Sequence, residues 1–273
     1  MNTSFEIEYA LKDLTAIEDS LPSTTDNQTF ADILLLKEGV GMKKYMTFED
    51  DFTLLDGTFE EMPDVPGDIS FWSDAISDEN GLFSENPLVE IAFDNPHSSI
   101  GLTLYFAEEV PHEFKVTWLN ASNTIMSQKT YNMENNIEAT GTCIKYFASN
   151  QVSNYYKVKI EFIRTIPYHF IKMCYLEYGA DILYSEDTIK KATLTEETNA
   201  NSEKISVNTI DIDIVDRLND FNLGNADGLH ASLQQQQYLK AYEWLDNVRT
   251  YLGKYYLSDF YTTDNVTRMT CIS

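Results

Sequence analysis

The stretch from Val89 to Tyr178 decides how this chain folds. Val89, Ile91 and Phe93 are apolar at every second position. Ile100-Gly101-Leu102-Thr103-Leu104-Tyr105-Phe106 repeats the pattern, as do Phe114-Lys115-Val116-Thr117-Trp118 and Val158-Lys159-Ile160-Glu161-Phe162. The apolar run Phe170-Ile171-Lys172-Met173-Cys174-Tyr175-Leu176-Glu177-Tyr178 then stops at Gly179. A pleated strand sends successive side chains to opposite faces, so period-two alternation marks strands with one buried face. These runs are short and separated by Asn, Gly, Pro and Ser loops, and none carries an apolar stripe at helical spacing. The expected result is an antiparallel β-sandwich over about 67–180.

Working outward, residues 1–66 read as a small mixed N-terminal segment. Phe5-Glu6-Ile7-Glu8-Tyr9 alternates like a strand, Leu21 to Asn27 has loop chemistry, and Tyr45 to Leu55 is aromatic and acidic. Asp56-Gly57, Pro63, Pro66 and Gly67 then punctuate the chain up to the sandwich. Beyond Gly179, Ser185-Glu186-Asp187-Thr188-Ile189-Lys190-Lys191-Ala192 fits either a capped helical turn or a strand. Apolar positions change parity between Ile205-Ser206-Val207 and Ile210-Asp211-Ile212-Asp213-Ile214, which predicts a β-bulge near Asn208-Thr209. Tyr251 to Leu257 and Val266 to Ile272 are strand-like. Residues 181–273 therefore form a second β domain, and the strand-like run reaching the last residues leads to the expectation that it is incomplete.

Composition limits function. Of 273 residues, 44 are Asp or Glu and 19 are Lys or Arg, a formal net charge of 19 − 44 = −25. So acidic a surface repels phosphate, which excludes a general nucleic-acid binder and argues against docking on anionic lipid. No apolar run approaches the ~20 residues needed to cross a bilayer, so no membrane insertion is expected. The start Met1-Asn2-Thr3-Ser4-Phe5-Glu6 lacks the basic and apolar regions of a secretory signal, which leads to the expectation of synthesis in a bacterial cytoplasm. Cys143, Cys174 and Cys271 are odd in number and widely spaced, a pattern that implies neither a disulfide framework nor a zinc site. Cys143 and Cys174 lie in apolar runs, where buried thiols are usual.

Catalytic signals are sparse. The chain contains no GxSxG, Walker or strand-to-helix GxGxxG motif, and His97, His112, His169 and His230 form no metal-binding spacing. His169, between Tyr168 and Phe170, reads as a packed strand residue. With 44 carboxylates, sequence proximity between acids says little about acid–base pairs, so no enzyme is expected. Two binding candidates share one segment. Phe71-Trp72-Ser73-Asp74 places an aromatic beside polar loop residues, the arrangement used to stack a sugar, so Trp72, Asp78 and Asn80 are candidate glycan-binding residues. The alternative for Trp72 is a plug at the end of the sandwich core. Asp74, Asp78 and Asn80 offer oxygens to Ca²⁺, without the spacing of an EF-hand loop. No other cofactor is indicated.

A family resemblance extends these expectations. Phe170 to Gly179, Ser185 to Ala192, Ser206-Val207-Asn208-Thr209-Ile210-Asp211-Ile212, Ala231-Ser232-Leu233-Gln234-Gln235-Gln236-Gln237 and Tyr251 to Leu257 resemble, in order, tail or baseplate structural proteins of bacterial prophages. Leu55 to Phe59, Met62-Pro63-Asp64 and Phe71 to Phe83 resemble the same proteins, so the likeness covers most of 45–273. The sandwich is similar to galactose-binding-like jelly rolls. The resemblance implies a mainly β chain: an antiparallel jelly-roll β-sandwich followed by part of a tail-hub-like β domain. It further implies a non-enzymatic tail-tip or baseplate component located in the virion tail. Its partners would be other tail and baseplate proteins or further copies of itself, as a homo-oligomer. The alternative function is a carbohydrate-binding module attaching to cell-surface glycan.

Overall fold

A computed structural model describes residues 3–38, 49, 70–107, 110–132, 138–140, 143–196, 207–216, 220–222, 225, 228–234, 236–246, 248–263 and 265–273. In chain order the elements begin with β1 (Thr3–Lys12), α1 (Leu14–Asp19), β2 (Leu21–Ser23), β3 (Phe71–Trp72) and β4 (Leu88–Phe106). Next come β5 (Glu113–Leu119), β6 (Ile125–Asn132), β7 (Glu138–Thr140), β8 (Cys143–Arg164) and β9 (Lys172–Tyr184). The last are β10 (Ile189–Thr195), β11 (Thr209–Val215), β12 (Tyr238–Leu245), β13 (Val248–Thr263) and β14 (Val266–Ile272). Two short 3₁₀ turns, Ile33–Lys37 and Leu229–Ser232, are interspersed. The fold is mainly β, and the expected antiparallel jelly-roll sandwich is present.

The chain divides into two units, one of residues 13–178 and one of residues 1–12 together with 179–273. This corrects the expected boundaries. The alternating run Phe5–Tyr9 lies not in a separate N-terminal arm but in β1, which pairs with β12 from Thr3↔Leu245 to Tyr9↔Leu239 and with the end of β9 from Ile7↔Tyr184 to Lys12↔Gly179. Of the expected arm, Tyr45–Leu55 apart from Glu49, and Pro63–Gly67, lie outside the described residues. Gly179 is required where β9 meets β1: its φ is +125°, and a Cβ there would stand 2.2 Å from the Leu11 carbonyl oxygen.

In the 13–178 unit, β4 and β8 are long enough to serve two sheets. The first part of β4 pairs with β2 and with the end of β8, while its last part, Leu102–Phe106, pairs with β9 and with the start of β8. The resulting orders are β2–β4–β8–β5–β6 and β3–β9–β4–β8–β7. Register shifts between Ala92 and Gly101 mark where β4 bends from one sheet to the other. The inner faces carry the residues that alternation selected: Val89, Ile91, Leu102, Leu104, Phe106, Phe114, Val116, Trp118, Val158, Ile160 and Phe162 are all buried in one core. Phe162 packs across that core against Phe71, with ring centroids 6.0 Å apart, and against Phe106 at 6.2 Å.

The other unit is a single antiparallel sheet in the order β10–β11–β14–β13–β12–β1–β9. The segment Ser185–Ala192 resolves as a turn leading into β10, so its strand alternative holds. β11 starts at Thr209, and residues 197–206, which would carry the rest of the predicted bulged strand, lie outside the described residues. Behind β1 and β12, the fully buried Gln237 joins several segments. Its Oε1 accepts from the Tyr9 hydroxyl at 2.7 Å and from the Gln234 N–H at 3.1 Å, and its Nε2 donates to the carbonyls of Lys12 and Ser232.

Candidate functional site

At one end of the sandwich the segment after β3 interlocks with the β8–β9 connection. The Ser73 N–H donates to the Ile171 carbonyl, and the Ile171 N–H donates to Ser73 Oγ, both at 2.9 Å. Ser77 repeats the exchange: its N–H donates to the His169 carbonyl at 3.1 Å, its Oγ donates to the Ile166 carbonyl at 2.7 Å, and the His169 N–H donates to Ser77 Oγ at 3.0 Å. Gly81 closes the pairing, its carbonyl accepting from the Thr165 N–H at 2.8 Å. With φ at +76° and a would-be Cβ 2.0 Å from the Thr165 oxygen, only glycine fits there.

Asp78 organises the turn. Its Oδ1 accepts the backbone N–H groups of Asn80 and Leu82 at 2.8 and 2.9 Å, and these two donors, Leu82 foremost, hold its carboxyl below the usual carboxylate range. Its carbonyl accepts from the N–H groups of Gly81 and Tyr168. Tyr168 itself has φ +61° and is 44% exposed. A bulky residue in the left-handed region is uncommon and persists only where its surroundings hold it. Here the network around Ser77 and Asp78 holds the backbone while the phenol ring faces solvent. Ile76 and Leu82, on the segment after β3, are also exposed, as are Asp78, Glu79 and Asn80.

The sequence candidates fare unequally. Asp78 and Asn80 stand on this surface; Trp72 does not. Trp72 is only 2% exposed, with Phe30 edge-on at 5.5 Å, Phe170 at 6.1 Å, and the Lys172 ammonium 4.6 Å from its ring centre. Lys172 is in turn paired with Glu49. No ring face of Trp72 is left for a sugar, so it is corrected to a core plug. Asp74 is exposed, and its N–H donates to the Asp26 carbonyl. Of the expected Ca²⁺ trio, Asp74, Asp78 and Asn80 are all exposed, and Asp78 Oδ1 accepts two backbone N–H groups. His169 is buried as expected, but in the β8–β9 connection rather than a strand, with its Nδ1 2.6 Å from the Pro167 carbonyl. Sequence reasoning missed Tyr168. The only local signal was Pro167 ahead of an aromatic between two strand runs.

Other concavities also hold polar groups, two of them with paired carboxylates. A cleft of about 450 Å³ is lined by Thr15, Glu18, Asp19, Asn95, Pro96 and His97. Within it, His97 Nδ1 and Nε2 lie 2.9 Å from Asp13 and Asp19 carboxylate oxygens, respectively. Asp13 also caps α1 through the Ala16 N–H. This arrangement clamps α1 to the bend of β4 rather than presenting a nucleophile. In the other unit, a cavity of about 640 Å³ is lined in part by Tyr184, Asp216, Asp220 and Phe221. Burial, and then the Asp216 charge, push Asp220 upward, but Asp216 is occupied as acceptor for the Asp220 and Phe221 N–H groups.

No protein-family model matches the chain, and no curated protein sequence matches it. Solved structures do. The lectin domain of lectinolysin, complexed with Lewis B antigen, matches at 10% identity and a TM-score of 0.36, covering 61% of this chain and 96% of that domain. The family 32 carbohydrate-binding module of Clostridium perfringens NanJ, in complex with galactose, matches at 9% and 0.34, covering 66% and 99%. A fucose-binding module from Streptococcus pneumoniae matches at 9% and 0.32, covering 57% and 88%. At these values the likeness assigns no ligand to this chain. The expected tail-tip or baseplate role is corrected by the same comparisons: the similar structures named are carbohydrate-binding domains.

Proposed function

We propose that the sandwich unit is a carbohydrate-binding module that attaches the chain to cell-surface glycan through the loop end carrying Tyr168. The observation that carries this reading is the exposed Tyr168, held in a left-handed backbone with its N–H on the Asp78 carbonyl, across from a turn where Asp78 and Asn80 are also exposed. A flat aromatic ring stacks on the C–H face of a sugar, while neighbouring carboxylate and amide groups accept and donate to its hydroxyls. The surface is suited to attachment without turnover. Its one carboxyl held by local hydrogen bonds, Asp78, is kept ionised, so it is not poised to deliver a proton at neutral pH.

One stacked ring contributes about 0.5–1.5 kcal/mol, so a single site binds weakly and gains from multivalent presentation. The test is a glycan array with the full chain, followed by titration calorimetry on the best ligand. Tyr168→Ala should weaken binding by up to about tenfold, and Tyr168→Phe should retain most of it. An array without signal, or an affinity unchanged in Tyr168→Ala, overturns the reading.

A further inference from the structure

The sulfur atoms of Cys143 and Cys174 lie 3.0 Å apart, although both residues are thiols and are separated by most of β8 and the β8–β9 connection. Cys143 opens β8 and is partly exposed; Cys174, on β9, is buried. Both belong to one hydrophobic cluster: Cys174 is in it with Trp72 and Ala107, and Cys143 packs against it, as do Phe170, Tyr105 and Tyr175. Ser70 adds a restraint, its Oγ donating to the Cys174 carbonyl at 2.8 Å. A zinc site would need further ligands, and among the described residues no third His, Cys, Asp or Glu joins a metal-holding group.

We propose that Cys143 and Cys174 form a built site for an intramolecular disulfide, closed by a low-molecular-weight disulfide such as oxidised glutathione. A disulfide has its sulfurs about 2.05 Å apart, so closure asks for an approach of about 1 Å. Cys143 reacts first because it is the more exposed residue of the two. Its thiolate attacks one sulfur of the oxidant, forming a mixed disulfide and releasing one small thiolate. The Cys174 thiolate then attacks the Cys143 sulfur, forming the protein disulfide and releasing the second. The two protons lost by the cysteines go to the two released thiolates, and the oxidant is reduced by two electrons. The bond ties the start of β8 to β9 and closes a loop containing residues 144–173, with Tyr168 inside it. Such a link restricts the unfolded chain and stabilises the folded one.

The experiment treats the native full chain with oxidised glutathione, quenches it with an alkylating agent and maps peptides by mass spectrometry. Cys143 and Cys174 should appear linked, with the intact mass lower by two hydrogens. Cys271 should remain alkylatable after denaturation: it is buried, and burial followed by the Asp211 charge pushes its thiol up to about 12. The thermal midpoint should rise by at least about 5 °C on oxidation and return on reduction. Cys143→Ser should fail to gain that shift. Three thiols persisting, a link to Cys271, links only between chains, or a link with no rise in midpoint each overturn the proposal. Peptide mapping uses the unmodified sequence, so a misfolded variant cannot obscure the result.

Discussion

At the scale of single residues, His97 shows how a buried polar side chain becomes structural. Each ring nitrogen meets a carboxylate, and the two acids lie at opposite ends of α1, so one imidazole fixes both the start and the end of the helix. Asp19 also accepts the Asn95 N–H, and its carboxyl is held below the usual range by the His97 bond first and the Asn95 bond second. A folded-state pKa below the unfolded one contributes stability above the ordinary carboxylate range, lost as pH falls through the folded value. Asp19→Asn should therefore lower the thermal midpoint by about 2–4 °C at pH 7, the shift that accompanies about 1 kcal/mol. Melting both proteins in parallel from pH 7 to pH 3 should show that gap closing at the acid end. Tyr168 is the complementary case, a residue whose backbone is constrained so that its side chain is not buried.

Elements depend on residues that no local pattern singles out. β1, β12 and the segment before β12 meet at Gln237, whose amide is completely enclosed and uses both its oxygen and its nitrogen. Replacing it by Leu removes its bonds to the Tyr9 hydroxyl, the Gln234 N–H and the carbonyls of Lys12 and Ser232. A buried group that loses its bond costs about 1–3 kcal/mol, so Gln237→Leu should destabilise by about 3 kcal/mol or more in denaturant titration. A change below about 1 kcal/mol would mean that the network does not hold these segments together. β4 depends on a different device: it joins two sheets because its register breaks between Ala92 and Gly101, which lets one strand line both faces of the core.

The whole molecule carries a formal charge of −25 and a sequence pI near 4.3. Self-repulsion keeps such chains apart at neutral pH and vanishes near the pI, so light scattering should reveal a solubility minimum close to pH 4.3 that is absent at pH 7. The order of the chain also matters at this scale, because the sandwich is inserted between β1 and the rest of the sheet to which β1 belongs. Sequence by itself determined that Val89–Tyr178 would be strands with buried Val, Ile, Leu, Phe and Trp faces, and that the exterior would be acidic. Pleat and charge are properties of neighbouring residues, so they are written locally. Tertiary structure alone decided that Trp72 is a core plug while Tyr168 faces solvent, that β1 joins β12, and that two cysteines far apart in the chain meet. Each of those depends on a partner brought close by folding: Phe30 and Lys172 over Trp72, Asp78 behind Tyr168, Leu239 beside Tyr9. Burial and pairing are set by such distant contacts, and an alternating pattern cannot encode which distant residue will supply them.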